Sequence, residues 1–207
     1  MNESGNRKTA YVNGILIALN ILYFLYLEIA GSSEDTAFMM KHGAMYAPFI
    51  LEEGEYYRLL TSMFMHFGIR HLVNNMLILF VIGDHLERAV GKIRYLVFYL
   101  LSGIGANVIS MMVGMKDYGR TVGAGASGAI FGVIGALLVV VIKNQGRLEN
   151  LQSRQLVMMT AFSLYFGFTS TGVDNTAHVA GLVLGMFLAL VLYRAPKRMK
   201  PLDVWDI

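Results

Sequence analysis

The ten residues Gly123-Ala124-Gly125-Ala126-Ser127-Gly128-Ala129-Ile130-Phe131-Gly132 decide how the rest of the chain is read. A polar loop holding Lys116, Asp117 and Arg120 leads into four small residues, then a serine, then an apolar run to about Ile142. Gly125 and Gly128 leave Ser127 with almost no side-chain neighbours of its own, so another backbone or a substrate can approach it. Gly128 and Gly132 form a small-xxx-small face of the kind that lets helices press together inside a membrane. The pattern predicts a transmembrane helix with Ser127 in its first turn. There, free N–H groups and the positive end of the helix dipole favour a developing negative charge. Taken alone, such a serine is more often a small residue at a helix-packing seam.

Composition sets the solvent. Of 207 residues, 56% are hydrophobic and 15% charged, with a mean hydropathy of +0.54. That is too apolar for a soluble domain of this size. It predicts an all-α polytopic membrane protein, one compact bundle over residues 1–207. The formal charge of +3 does not signal nucleic-acid binding, because basic residues in a membrane protein mostly set orientation. Absence of cysteine excludes a disulfide framework, a thiolate nucleophile and a Cys-ligated metal. Arg7 and Lys8 precede a segment long enough to span, with no signal-peptide pattern, which predicts a retained first helix.

Six apolar segments follow, at about Tyr11–Ala30, Phe67–Asp84, Tyr95–Met115, Ala126–Ile142, Leu156–Thr171 and Ala177–Tyr193. Several are near or below the roughly 20 residues a span requires, which predicts local thinning or a wet depression above short helices. Most of the 17 Lys and Arg lie near Arg7/Lys8, Arg88–Arg94, Lys143–Arg154 and Arg194–Lys200. Both termini (about 1–10 and 194–207) are therefore expected in the cytoplasm and Ser127 toward the outer face. The long connection 31–58 mixes acids (Glu34, Asp35, Glu52, Glu53, Glu55) with aromatic and apolar runs. It reads either as an interfacial segment or as an ordinary extracytoplasmic loop.

The polar residues inside these spans carry the chemistry. His71 and Asn75 are four apart on one face of the second helix, near the depth of Ser127, and both can donate to an anionic oxygen. His66 falls on another face, toward the mouth. His178 opens the sixth helix, with Gly181 and Gly185 below it on the same side. Two facing glycine stripes let backbones approach closely and bring a serine hydroxyl within reach of an imidazole, the geometry of a nucleophile and its general base. Each polar group alone also serves as an interhelical hydrogen-bonding residue, but intramembrane ionisable groups are costly and usually functional. A metal site built on His66, His71 and His178 lacks accompanying Asp, Glu or Cys. Asp174 lies in the preceding loop and need not face the imidazole as a triad acid. Because position 129 is alanine, this is not the Gly-x-Ser-x-Gly elbow of soluble hydrolases.

Together, His71-x-x-x-Asn75, Gly125-Ala126-Ser127-Gly128 and Ala177-His178-x-x-Gly181-x-x-x-Gly185 resemble the rhomboid family of intramembrane serine proteases. The similarity extends over nearly the whole chain: Tyr57-Arg58 resembles the family's aromatic-Arg pair, and Glu87 stands where the family keeps an acid. The resemblance implies a Ser127–His178 dyad without a required carboxylate. It implies an oxyanion site of His71, Asn75 and the Ser127 amide, with Phe131 packed on the histidine. Gly125, Gly128, Gly181, Gly185 and His66 would support packing and substrate. Ser62 stands where the family often has a further histidine. The implied partners are transmembrane-protein substrates in the bilayer of a cell (plasma or inner) membrane, with no cofactor, metal or nucleic acid. A rhomboid-like scaffold that binds client helices without cutting them characteristically lacks the Ser or the His. A small transporter predicts broken helices or an inverted repeat, and neither is present in the sequence.

Overall fold

The computed structural model describes residues 9–149 and 151–195; Arg7, Lys8 and the tail beyond Ala195, with its basic cluster, lie outside them. The first helix, α1, runs Tyr11–Ala30, as its apolar segment predicts. The connection that follows is folded. Thr36–Lys41 (α2) is capped by the Asp35 carboxylate, which accepts from the Ala37 and Phe38 amides. Met45–Tyr46 (β1), Ala47–Leu51 (α3) and Arg58–Thr61 (α4) complete it. Arg58 holds this unit together. Only 3% exposed, it pairs with Glu55, donates to the Met40 and Ala44 carbonyls, and lies 4.7 Å from the Phe49 ring centroid. A buried guanidinium is tolerable only with partners on this scale.

The second predicted helix is longer than its apolar run. Gly68–Ile78 (α5) passes through a π-helical turn at Leu79–Gly83 into Asp84–Val90 (α6), and the polar residues after Asp84 continue it. Asn13 of α1 donates to the Leu79 carbonyl at 3.1 Å, meeting an acceptor in the widened turn, and Tyr95 donates to Asn13 at 2.6 Å. Glu87 is 2% exposed. Its carboxylate accepts the Val12 and Asn13 amides (3.1 and 2.7 Å), so an acid on α6 caps the amino end of α1.

The remaining helices are α7 (Lys92–Val113), α8 (Ser127–Lys143), α9 (Ser153–Thr169) and α10 (Asn175–Leu192). Val122–Gly123 (β2) pairs antiparallel with β1, and Arg147–Leu148 (β3) with Leu151–Gln152 (β4). Helix α8 is buried at every residue from Gly128 to Val141, whereas Leu22, Ile29, Phe80, Phe162, Phe166 and Phe187 on the surrounding helices face outward. A helix apolar on all sides belongs at the centre, and apolar outer faces suit a lipid solvent. Among the described residues three helices are long and apolar enough to cross a membrane: Tyr11–Ala30, Lys92–Lys116 and Asn175–Leu192. Arg58–Phe64 and Gly68–Val90 form a pair bent by 89°, and Ser127–Lys143 is a shorter apolar helix.

Small residues determine how α8 meets its neighbours. A Cβ on Gly181 would lie 2.1 Å from the Gly128 carbonyl oxygen, and one on Gly185 only 1.8 Å from that of Gly132. One on Gly135 would lie 2.1 Å from the Leu182 carbonyl oxygen. On its other side Gly132 abuts Ser102 of α7. Helices α8 and α10 therefore touch backbone to backbone. Because the contacts advance together along both chains, the two helices run parallel.

Candidate active site

Ser127 is the first residue of α8, and the Ile130 amide is the first to find a helical acceptor, bonding to Ala126 at 2.9 Å. Among the described residues the amides of Ser127, Gly128 and Ala129 have no acceptor. His178 lies in the first turn of α10, whose amino end is capped by Asp174 accepting the Ala177 amide at 2.8 Å. The other Asp174 oxygen accepts from Ser110 of α7, so this carboxylate caps a helix and tethers its loop. With α8 and α10 parallel, two positive helix ends converge where Ser127 and His178 lie.

Phe131, one turn below Ser127, stacks on His178 with ring centroids 4.4 Å apart and planes 21° from parallel. Among the described residues His178 Nδ1 is buried without a partner, and no hydrogen bond joins His178 to Ser127, which is half-buried. The two side chains expected from sequence to act together thus lie at the amino ends of two helices in backbone contact, without a hydrogen bond between them.

On the opposite side of Ser127 stands Gly125, at φ +144°, a backbone conformation that favours glycine. A Cβ there would lie 3.0 Å from His71 Nε2 and 3.8 Å from Ser127 Oγ, so imidazole and hydroxyl face the same gap. Asn75 is 6% exposed, and its Nδ2 donor has no partner among the described residues. His66 is not near a mouth. It is fully buried, edge-on to His71 with centroids 5.1 Å apart, and its Nε2 accepts the Ala126 amide at 3.4 Å. The helix begins only at Gly68, so His66 sits in the preceding bend and turns inward beneath the serine loop. Ser62 also supports that loop, its carbonyl accepting the Gly125 amide at 2.9 Å and its hydroxyl the Asn107 amide at 3.0 Å.

Two residues beside His178 escaped the sequence reading. A Cβ on Gly167 of α9 would lie 3.5 Å from His178 Nδ1, and Asn175 donates to the Gly167 carbonyl at 3.1 Å. The available signals were the i,i+3 spacing of Asn175 to His178 and a glycine inside the aromatic run Phe166-Gly167-Phe168. The first loop reaches the site through β2: Tyr46 donates to the Gly119 carbonyl and Tyr118 to Glu52. That hydrogen bond to Glu52 pushes the Tyr118 phenol up to about 12. A cavity of about 450 Å³ between Thr9, Tyr11 and Arg88–Arg94 lies at the other end of the bundle, remote from this chemistry. Among the described residues no three His, Cys, Asp or Glu side chains converge as metal ligands would.

A family model described as the Rhomboid domain matches residues 53–195. The chain belongs to the rhomboid family. It is 38% identical over 178 residues to the Rhomboid protease GluP of Bacillus subtilis, covering 86% of this chain and 34% of that protein. It is 37% identical over 150 residues to RHOMBOID-like protein 5 of Arabidopsis thaliana, covering 72% of this chain and 48% of the relative. With the Rhomboid protease AarA of Providencia stuartii it shares 33% identity over 208 residues, 89% of this chain and 73% of that protein. The chain thus spans about a third of the Bacillus protein and half of the Arabidopsis one. The rhomboid match includes every polar residue of the site described above, from Ser62 to His178, and makes the chain an integral membrane protein.

Proposed function

We propose that this rhomboid is an intramembrane serine endopeptidase that cuts peptide bonds in or near transmembrane segments of other membrane proteins. Ser127 Oγ attacks the peptide carbonyl carbon while His178 takes the hydroxyl proton. The resulting oxyanion is held by His71, Asn75 and the Ser127 amide. His178 returns its proton to the leaving amine as the C–N bond breaks, leaving an acyl ester on Ser127. Water then attacks that ester with His178 again as base. Each donor aimed at the oxyanion contributes on the order of 3 kcal/mol to transition-state stabilisation in enzymes of this logic.

The observation that carries this reading is the backbone contact of Gly181 with Gly128 together with the stacking of Phe131 on His178. It brings the serine and histidine helices together at their amino ends. Membership in the family and relatives named as proteases support the same reading. With it go six membrane spans, cytoplasmic termini, and a site toward the outer face of a cell membrane, as the basic-residue asymmetry suggests. A fluorophosphonate reagent tests the assignment: it should label Ser127 in the purified protein. Ser127→Ala and His178→Ala should each abolish cleavage of a transmembrane substrate while the protein stays folded. Modification of another residue, or cleavage by either variant, removes that residue from the dyad.

A further inference from the structure

The glycine contacts between α8 and α10 set how close the helices lie, but smooth faces do not determine how far one is slid along the other. That task falls to their far ends. Lys143 is the last residue of α8, and its Nζ donates to the carbonyls of Ala189 (3.4 Å), Leu190 (3.1 Å) and Tyr193 (2.9 Å) at the end of α10. Its neighbour Asn144 donates to the Tyr193 hydroxyl at 2.7 Å, and Tyr193 is 6% exposed. Because the helices are parallel, both negative dipole ends meet here, and one ammonium serves the two.

We propose that Lys143 is a positioning residue that fixes the axial register of α10 against α8 and so places His178 beside Ser127; this rests on the dyad reading above. The acceptors are the last turn of α10 and the Tyr193 that ends it: the Ala189 carbonyl also accepts the Tyr193 amide at 3.1 Å, while those of Leu190 and Tyr193 have no backbone donor among the described residues. Sliding α10 by one residue moves it about 1.5 Å and takes all three carbonyls out of place together. The same slip carries His178 along α8 by that distance, and displacements on this scale cost reacting groups about a hundredfold in rate.

The chain has no cysteine, so labels can be placed cleanly. Ile142 and Leu192 are 60% and 37% exposed at the ends of α8 and α10. Spin labels on Ile142→Cys and Leu192→Cys in the full chain, reconstituted in liposomes, report register without requiring activity. One narrow distance is expected in the parent and in Lys143→Arg. A shifted or broadened distance is expected in Lys143→Met, which keeps the aliphatic stem but loses the donors. In the same variant kcat should fall about ten- to a hundredfold with KM nearly unchanged, and Lys143→Arg should restore it. An unchanged distance in folded Lys143→Met, or a kcat equal to the parent's, overturns the proposal. If Lys143→Met does not fold, Tyr193→Phe removes the Asn144 anchor alone and should give a smaller change of the same kind; no change there overturns it. A moved distance in a parent that never cleaves would leave the register role standing and sink the protease reading instead.

Discussion

The Phe131 ring lies against the His178 imidazole, 4.4 Å between centroids and 21° from parallel. The contact fixes the plane of an imidazole whose Nδ1 has no partner among the described residues, a task that in many sites falls to a hydrogen bond. Phe131→Tyr keeps the ring and should keep cleavage close to the parent rate. Phe131→Ala should slow it about tenfold, in line with aromatic pair energies of about 0.5–1.5 kcal/mol plus lost orientation. Steady-state cleavage of a transmembrane substrate by the two variants measures this. Equal rates for Phe131→Ala and the parent would show that the ring is only filler.

Asn75 offers a separate test, because its Nδ2 is buried and unpaired among the described residues. An unpaired buried donor costs about 1–3 kcal/mol in the resting protein. Asn75→Ala should therefore leave the unfolding temperature unchanged or raised while lowering kcat about 100- to 1000-fold, as loss of one oxyanion donor does. A variant that loses stability but keeps kcat would make Asn75 a packing residue.

At Gly125 two independent obstacles coincide, φ +144° and a Cβ position 2.8 Å from the His71 ring. Gly125→Ala should displace His71, suppress fluorophosphonate labelling of Ser127 and destabilise by about 1–3 kcal/mol. Gly91, at φ +87° with nothing among the described residues within 4 Å of its Cβ position, provides the comparison. Gly91→Ala should show the backbone strain alone, with labelling intact.

The glycine seam predicts a sharp contrast along the chain. Gly185→Ala places a methyl 1.8 Å from the Gly132 carbonyl oxygen, and backbone cannot step aside as a flexible side chain can. The variant should lose about 3 kcal/mol or more and most of its labelling. Gly14→Ala on α1 meets nothing within 4 Å and should be neutral or slightly stabilising. Thermal unfolding in detergent, followed by circular dichroism or scattering, ranks the two. A Gly185→Ala protein as stable as the parent would mean that α8 and α10 are not in backbone contact.

Much of this was legible in the chain because the information is local. α1 was readable at Tyr11–Ala30, and the remaining long helices to within a few residues at most ends, since each is written as one long apolar run. The extension of the second helix to Val90 was not, because its last turns are polar and its π-helical turn is supported by Asn13, some 66 residues earlier. The folded first loop was hidden for the same reason. Arg58 is satisfied by the Met40 and Ala44 carbonyls, and main-chain acceptors leave no mark in a sequence.

The sequence by itself determined the solvent, the helices and the residue types able to do acyl chemistry, because hydropathy and spacing act along the chain. Tertiary structure alone decided that His66 turns inward beneath the serine loop and that Asp174 caps a helix. It also decided that Lys143 closes the end of α10. Those outcomes depend on which buried donors find acceptors across helices, and that pairing is settled only when distant segments pack.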